Sequence, residues 1–261
     1  MATLVFLHAH PDDEASGTAG TMARAKAEGH RVVWICATNG DHGTKPEGAE
    51  TPEQVAAHRR LEAEASQRVL GIDRLVWLGY ADSGMTGWDT NHAADCFTSA
   101  NPVEAGRRVA DVLDEEDADV LVGYDWHGGY GHPDHVMVHT VMHQAAAQAS
   151  RRPRVLQATL NRDRQRAMVE QARAAGMPID FDPDGPADDG NPMGTPESEL
   201  QWEVDCTDQL PIKRAALQCH ASQSDVQMLL SIPEPGFGYA FGFEYYIEEG
   251  LDQPMTTGWP F

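Results

Sequence analysis

Short apolar runs alternate with longer, mixed segments along roughly the first 160 residues of the chain. Apolar runs of this kind, bounded by polar positions or glycine, are typical of buried β-strands. We therefore predict strands at 3–8, 31–37, 74–80, 119–124 and 154–160. The segments between them space their apolar residues at helical intervals and predict helices at 14–29, 51–71, 102–116 and 133–149. This alternation predicts an α/β fold with a Rossmann-like, mostly parallel sheet and helices on both faces.

The pattern weakens after the fifth predicted strand. The segment at 176–198 is rich in proline, glycine and aspartate and is typical of a loop or lid. Further elements are predicted around it: a helix at 162–175, a strand at 200–204, a helix at 211–220 and an aromatic strand at 237–247. We expect one domain over 1–261, with a Rossmann-like core at 1–161 and a smaller C-terminal α+β portion at 162–261 that carries the acidic loop or lid.

The overall charge is strongly negative. The chain has 41 acidic and 19 basic residues, which gives a formal net charge of −22. The excess is concentrated in 174–261, where Lys213 and Arg214 are the only basic residues. Binding to nucleic acid or to an anionic membrane depends on clustered basic side chains, so we expect neither partner. With 41 % hydrophobic residues, the chain still has enough apolar side chains for a sizeable core.

The cysteines and the first residues predict a cytoplasmic protein. Four cysteines are spread along the chain without a C-x-x-C pair, which is typical of reduced, mostly buried thiols. The N-terminus runs directly into the first apolar strand without a basic segment, so no signal peptide is expected. No apolar stretch approaches the length of about 18 residues that a membrane span needs.

Polar side chains that can bind a metal follow the first and fourth predicted strands. HAHPDDE stands at 8–14, and DWHGGYGHPDH stands at 125–135. The first is a poor dinucleotide-binding turn, because it lacks the G-x-G-x-x-G glycines and its three carboxylates would repel a pyrophosphate. Ligands of open α/β sheets bind beyond the carboxyl ends of the strands, and the first and fourth strands can be neighbours there. We therefore expect the two clusters to converge on one site.

Imidazole and carboxylate groups at such a place favour a divalent cation, and catalytic zinc typically has three protein ligands and a water. Adjacent side chains of a tight turn point in different directions. One of Asp12 and Asp13 can therefore bind the metal while the other acts as a base toward the water. The second cluster also offers a histidine outside the ligand set that can stabilise an oxyanion, and Asp134 can orient that ring.

The two motifs together resemble the LmbE-like, or PIG-L, zinc-dependent N-deacetylases. Within this family the chain most resembles the actinobacterial mycothiol enzymes, the GlcNAc-inositol deacetylase and the mycothiol S-conjugate amidase. The resemblance covers roughly 3–225 and includes further stretches: TMAR at 21–24, LGYADSGM at 78–85, GTPE at 194–197 and HASQ at 220–223.

The resemblance implies a zinc ion held by His10, Asp13 and His135. It implies that Asp12 is the general base and a candidate for the acid that later protonates the leaving amine. Ferrous iron accepts similar ligands, so the metal used in the cell stays open.

The resemblance also assigns roles around the metal. It implies that His132 stabilises the tetrahedral oxyanion, with help from Tyr130, and that Asp134 holds His132. Arg59 and Asp82 match positions that contact the sugar–inositol substrate.

The implied reaction is hydrolysis of an N-acyl amide to a free amine and a carboxylate, on a small amino-sugar glycoside of the GlcNAc-inositol type. Gly17 and Gly131 stand where the amidases have Lys and Pro, which favours a deacetylase. Because 21–32 and 95–97 resemble the amidase as much, a mycothiol S-conjugate amidase and a deacetylase of an amino-sugar natural product stay open. A non-catalytic metal- or sugar-binding relative is disfavoured, since it would need neither a base nor an oxyanion donor. The oligomeric state is not predicted.

Overall fold

The described strands form one mixed sheet in the computed structural model, which describes residues 1–176 and 180–261. They are β1 (Thr3–His8), β2 (Arg31–Thr38), β3 (Arg74–Tyr80), β4 (Val120–Tyr124), β5 (Arg154–Thr159), β6 (Trp202–Asp205), β7 (Phe243–Glu248) and β8 (Thr256–Thr257). Their spatial order is β3-β2-β1-β4-β5-β7-β6-β8. Strands β1 to β5 are parallel, whereas β7 is antiparallel to both β5 and β6, and β8 is parallel to β6. The predicted mostly parallel α/β sheet is confirmed.

Helices cover both faces of the sheet, as predicted. In the described residues they are α1 (Ala19–Ala27), α2 (Pro52–Leu70), α3 (Pro102–Glu115), α4 (Pro133–Gln148), α5 (Arg162–Ala174), α6 (Leu210–Cys219), α7 (Ser224–Leu230) and α8 (Gly236–Phe241). Alternate side chains of β1 enter opposite apolar cores. Leu4 and Phe6 belong to the core with α1, α2 and α6, whereas Val5 and Leu7 belong to the core with α3 and α4. None of the described helices combines the length and the apolarity needed to span a membrane.

The pairing of β1 with β4 determines where the two polar clusters meet. Leu4 pairs with Val120 and Phe6 with Val122, while the other edge of β1 pairs with β2. The sequential order of the strands therefore reverses between β1 and β4, which is the switch point of such a sheet. The clusters that follow these two strands leave the sheet side by side, as expected.

Local sequence signals define helix α2, which reaches the loop after β1. The Thr51 hydroxyl oxygen accepts a hydrogen bond from the Gln54 backbone N–H, and the Gln54 side-chain oxygen accepts one from the Thr51 backbone N–H, which is a capping box. The helix ends at Gly71, whose φ of 69° closes the last turn. Between these ends, Arg59 donates a hydrogen bond to the Pro11 carbonyl.

Several elements differ from the predictions. The helix predicted from residue 14 starts with a π-helical turn at Glu14–Thr18 before α1 begins. The aromatic strand predicted at 237–247 is divided between α8 and β7. Phe237 and Phe241 lie one helical turn apart and their ring centroids are 4.8 Å apart, so their packing stabilises a helix there. Helix α7 and strand β8 have no counterpart among the predictions.

The predicted loop at 176–198 includes residues 177–179, which lie outside the described residues. The described part from residue 180 has an isolated bridge between Pro186 and Pro192 and a short 3₁₀ turn at Glu197–Glu199. Its acidic residues are largely solvent-facing, and Asp184 forms an ion pair with Arg166 of α5.

A buried ion pair connects the C-terminal portion to the core. Lys213 of α6 is 2 % exposed and Glu244 of β7 is 4 % exposed, and the Lys213 Nζ lies 2.7 Å from the Glu244 Oε1. The Glu244 carboxylate also accepts hydrogen bonds from the amides of Gly20 and Thr21 in the first turn of α1, each at 2.8 Å. One carboxylate thus links α1, α6 and β7, and the positive end of the α1 dipole favours its charge.

We expect Lys213→Met to lower the free energy of unfolding by about 3 kcal/mol, because Glu244 is left buried without its cation. Urea unfolding followed by circular dichroism measures the change. Lys213→Met/Glu244→Gln, which buries no charge, should lose less than the single variant. As a control, Arg151→Met removes an exposed pair with Asp117 and should change stability by less than about 1 kcal/mol. Equal effects of Lys213→Met and Arg151→Met would contradict the assigned role.

Candidate active site

A cavity of about 350 Å³ lies beyond the carboxyl ends of the central strands. Its lining includes residues of both predicted clusters, of α2, of the turn after β3 and of the beginning of α7. The side chains at its bottom are nearly inaccessible, since His10 is 7 % and His132 is 5 % exposed. Trp88, in contrast, is 48 % exposed and marks the mouth.

The first cluster forms a strained turn that separates the two aspartates. Asp12 has a φ of 110°, which non-glycine residues rarely adopt. Its amide donates to the Glu14 carboxylate at 3.0 Å, and its carbonyl accepts from the amides of Ala15 and Ser16. The Asp12 carboxylate thereby contacts α2, whereas the Asp13 carboxylate contacts the second cluster.

Asp13 connects the two clusters. Its Oδ2 lies 3.4 Å from the His10 Nδ1, and its Oδ1 lies 3.3 Å from the His135 Nε2. Each separation is close to the roughly 3.3 Å between two ligand atoms that lie about 2.0–2.1 Å from zinc, and the two contacts use different oxygens of the one Asp13 carboxylate. Burial alone would raise the pKa of Asp13, but His135 and His10 hold that pKa well below its usual value. The carboxylate is therefore ionised, as a metal ligand must be.

The hydrogen bonds of the two histidines leave one nitrogen of each ring near Asp13. His135 Nδ1 lies 3.1 Å from the Gly128 carbonyl and therefore carries the proton. The His135 Nε2 is buried and has no hydrogen-bond partner among the described residues. The His10 Nε2 lies 3.1 Å from the Asp134 Oδ2, which leaves Nδ1 on the side of Asp13. A buried imidazole nitrogen without a hydrogen-bond partner beside a carboxylate fits a divalent cation.

His132 is the N-cap of α4, and its hydrogen bond defines which nitrogen is protonated. Its Nδ1 accepts from the Asp134 amide at 3.1 Å, so Nε2 carries the hydrogen of the neutral ring. Burial, together with His10 and His135, holds the pKa of His132 well below its usual value. Ligand atoms of His10, His132 and His135 lie within 4.8 Å of one another. With its hydrogen on Nε2, His132 can act as a donor toward the cavity that it lines.

Tyr130 lines the same cavity as His132, and the two rings meet edge to face with centroids 6.1 Å apart. Burial raises the pKa of the Tyr130 phenol, so its hydroxyl keeps its hydrogen. The cavity therefore contains two neutral hydrogen-bond donors, an imidazole N–H and a phenol O–H. Donors of this kind can stabilise an oxyanion.

Asp12 faces the buried guanidinium of Arg59. The Arg59 Nη2 donates to the Asp12 Oδ2 at 2.7 Å, and the same side chain donates to the carbonyls of Gly40 and Pro11. Burial raises the pKa of Asp12 to about 7, with Asp13 adding to the increase and Arg59 opposing it. A carboxylate with a pKa near neutrality can both accept and return a proton.

The side chain of Asp134 has a different partner from the expected one. Its Oδ1 accepts from the Ser83 hydroxyl at 2.5 Å, and its Oδ2 accepts from the Ser83 amide at 2.9 Å and contacts His10. Only the Asp134 amide reaches His132. The expectation that the carboxylate holds His132 is thus corrected: the carboxylate is bound by Ser83 and contacts His10, which it orients. Asp82, another predicted residue, lines the cavity with its Oδ1 at 3.6 Å from the His10 Nε2.

Glu14 and His220 form a buried pair beneath the turn, and no local motif of the sequence indicates this pairing. Both are fully buried, with the His220 Nε2 at 2.7 Å from the Glu14 Oε1, which also accepts from the Ser66 hydroxyl. Burial opposes charge on both groups, yet their pairing lowers the pKa of Glu14 and raises the pKa of His220. The pair spans 206 positions, and only the folded chain brings them together.

The chain at Gly131, between Tyr130 and His132, has no room for a side chain. Gly131 has a φ of 88°, and a Cβ there would lie 2.3 Å from the Asp189 Cγ and 2.6 Å from the Asp189 amide nitrogen. Gly129 has a similar φ of 78°, but no atom lies within 4 Å of its Cβ position. The acidic segment after α5 therefore packs directly on the second cluster at Gly131.

The sequence of the chain matches known proteins along most of its length. Residues 5–146 match the PIG-L family model, which is described as GlcNAc-PI de-N-acetylase. The 1D-myo-inositol 2-acetamido-2-deoxy-alpha-D-glucopyranoside deacetylase of Nocardioides sp. strain JS614 is 34 % identical over 252 residues. That match covers 84 % of this chain and 82 % of that protein.

Solved structures with the same fold have more than one activity. N,N′-diacetylchitobiose deacetylase from Pyrococcus horikoshii superposes with a TM-score of 0.61 at 21 % identity, over 94 % of this chain and 83 % of that chain. The 4-carboxy-2-hydroxymuconate hydratase from Pseudomonas putida KT2440 superposes with a TM-score of 0.61 at 16 % identity. That superposition covers 99 % of this chain and 100 % of that chain. At these identities the similarity supports the fold alone, since one fold serves different reactions.

We expect Gly131→Ala to be more destabilising than Gly129→Ala. Both variants force alanine into the left-handed region, at a cost of about 1 kcal/mol each. Only at Gly131 does the new methyl group also overlap the backbone of Asp189, which should add at least about 1 kcal/mol. Urea unfolding of the two variants measures the difference, and equal losses of stability would contradict the close packing.

Proposed function

Because the chain belongs to the PIG-L family of GlcNAc-PI de-N-acetylases, we propose that it hydrolyses the N-acyl amide of a small amino-sugar glycoside of the GlcNAc-inositol type. The products are a free amine and a carboxylate. The observation that carries this proposal is the junction at Asp13, where His10 and His135 meet one carboxylate and Asp12 lies beside it. The deacetylase is preferred over the conjugate amidase because the relative with 34 % identity is named a deacetylase.

His10, Asp13 and His135 would hold the metal ion, which we propose is zinc. Zinc there would supply Lewis acidity, which polarises a carbonyl and lowers the pKa of water. The buried, unpartnered Nε2 of His135 and the ionised Asp13 support this ligand set. The same nitrogen and oxygen donors would also accept ferrous iron.

Asp12 would take the proton of the attacking water as the water oxygen bonds to the amide carbon. Its pKa of about 7 suits this role at neutral pH, and the hydrogen bond from Arg59 holds the carboxylate in place. The developing oxyanion would accept hydrogen bonds from the His132 Nε2–H and the Tyr130 hydroxyl. When the carbon–nitrogen bond breaks, Asp12 would return its proton to the leaving amine.

Arg59 and Asp82 are proposed to contact the glycoside, since both line the cavity. The Arg59 guanidinium is shared between Asp12 and two carbonyls, so it would position the base and the substrate together. A volume of about 350 Å³ is at the small end of ligand-binding cavities and suits one small glycoside better than a polymer.

The wild-type protein should release a primary amine from N-acetylglucosaminyl-inositol. Exhaustive chelation should abolish the release, and added zinc should restore it, because the reaction depends on the metal. An amine-reactive fluorophore measures the product, with N-acetylglucosamine and a mycothiol S-conjugate as comparison substrates. Full activity of the metal-free protein, or amine release from the conjugate alone, would contradict the proposal.

Asp12→Asn provides the matched control for the base. Asparagine has the same shape as aspartate and tolerates a positive φ, but it cannot accept the proton. The variant should bind zinc like the wild type and lose about 100-fold to 10,000-fold in kcat. Unchanged turnover with bound metal would place the base elsewhere.

A further inference from the structure

The indole of Trp88 lies at the mouth of the cavity, above its buried polar bottom. Trp88 is about half exposed, and the bottom is formed by buried groups such as His10. Other lining residues that are exposed to solvent are polar: Thr44, Ser224 and Asp225. The solvent-exposed lining of the cavity therefore combines one large aromatic side chain with hydroxyl and carboxylate groups.

The turn that carries Trp88 is held rigid by side chains that follow it. The Asn91 amide group donates to the carbonyls of Ser83 and Met85, at 2.7 and 3.1 Å. The Thr90 hydroxyl donates to the Ser83 carbonyl at 2.8 Å. A side chain on such a turn is placed before a ligand arrives, which reduces the entropy that binding costs.

The indole also rests against the backbone of the turn. A Cβ at Gly84 would lie 2.5 Å from the Trp88 Cε3, so the ring occupies space that only a glycine at this position leaves free. The preceding residue, Ser83, binds the Asp134 carboxylate that orients His10. Trp88 at the mouth and His10 at the bottom are therefore connected by a few direct contacts, through Gly84, Ser83 and Asp134.

We propose that Trp88 is an aromatic platform for the second ring of a two-ring substrate, a cyclitol or sugar joined to the N-acylated amino sugar. This inference rests on the proposed function, which places the acyl amide at the bottom of the cavity. The ring that carries the amide then fills the depth of the cavity. The next ring reaches the mouth, where Trp88 lies.

The chemistry of such a ring matches the surroundings of Trp88. A cyclitol or pyranose has hydroxyls around its edge and C–H groups on its faces. The C–H hydrogens are slightly positive and pack on the negative face of an aromatic ring. Thr44, Ser224 and Asp225 offer hydrogen-bond partners for hydroxyls at the edge. A cavity lining that offers both an aromatic face and polar groups is thus selective for a polyhydroxylated ring over a purely apolar group.

The test compares a two-ring with a one-ring substrate. For N-acetylglucosaminyl-inositol, Trp88→Ala should raise KM about tenfold, a loss of roughly 1.4 kcal/mol, and leave kcat within about twofold. For N-acetylglucosamine, which does not reach the mouth, both constants should stay within about twofold of wild type. Trp88→Phe keeps an aromatic face and should retain most of the affinity.

Trp126→Ala is the matched control, because Trp126 is 54 % exposed and does not line the cavity. It should leave both substrates unaffected. An equal effect of Trp88→Ala on the two substrates, or no effect on either, would overturn the platform while leaving the proposed function intact. If the wild type releases no amine, the proposed function fails. In that case, calorimetry measures the affinity of glucosaminyl-inositol for the wild type and for Trp88→Ala. Weaker binding by the variant supports the role of Trp88 as a platform, and equal binding overturns it.

Discussion

The site depends on one carboxylate that contacts two histidines from distant parts of the chain. Asp13 lies within 3.4 Å of His10 and 3.3 Å of His135, and these contacts join the loop after β1 to the first turn of α4. They exist only because β1 and β4 are neighbours at the centre of the sheet. A shift of register by one residue would turn alternate side chains to the other face and separate the three donor atoms.

The turn at Asp12 and Asp13 costs free energy through backbone strain and the burial of charge, and contacts with nearby residues offset this cost. Asp12 is held at a φ of 110° next to another aspartate, and both are largely removed from water. Strain of this kind persists where the surroundings over-determine the backbone. Here the Glu14 carboxylate accepts the Asp12 amide and is itself paired with His220, while Arg59 neutralises the Asp12 charge. The Asp12 carboxylate is thereby held in place with a pKa near neutrality.

Much of the fold and the two halves of the site could be predicted from the sequence, because apolar periodicity and motif spacing are local signals. What could not be predicted depends on contacts between distant residues. Ser83 binds the Asp134 carboxylate, which contacts His10, and nothing in either motif indicates this partner. Likewise, the first part of an aromatic segment predicted as a strand forms helix α8, where Phe237 and Phe241 pack together, and only the second part forms strand β7. The position of α7 at the cavity also follows only from tertiary packing.

X-ray absorption at the zinc edge of the metal-loaded protein tests the central claim most directly. If Asp13 joins His10 and His135 around the metal, the spectrum will fit nitrogen and oxygen ligands with two imidazoles, and Asp13→Asn will change it. A fit that requires three imidazoles would contradict the account, because it would place His132 among the ligands and remove it from the oxyanion. An unchanged spectrum for Asp13→Asn would contradict it as well.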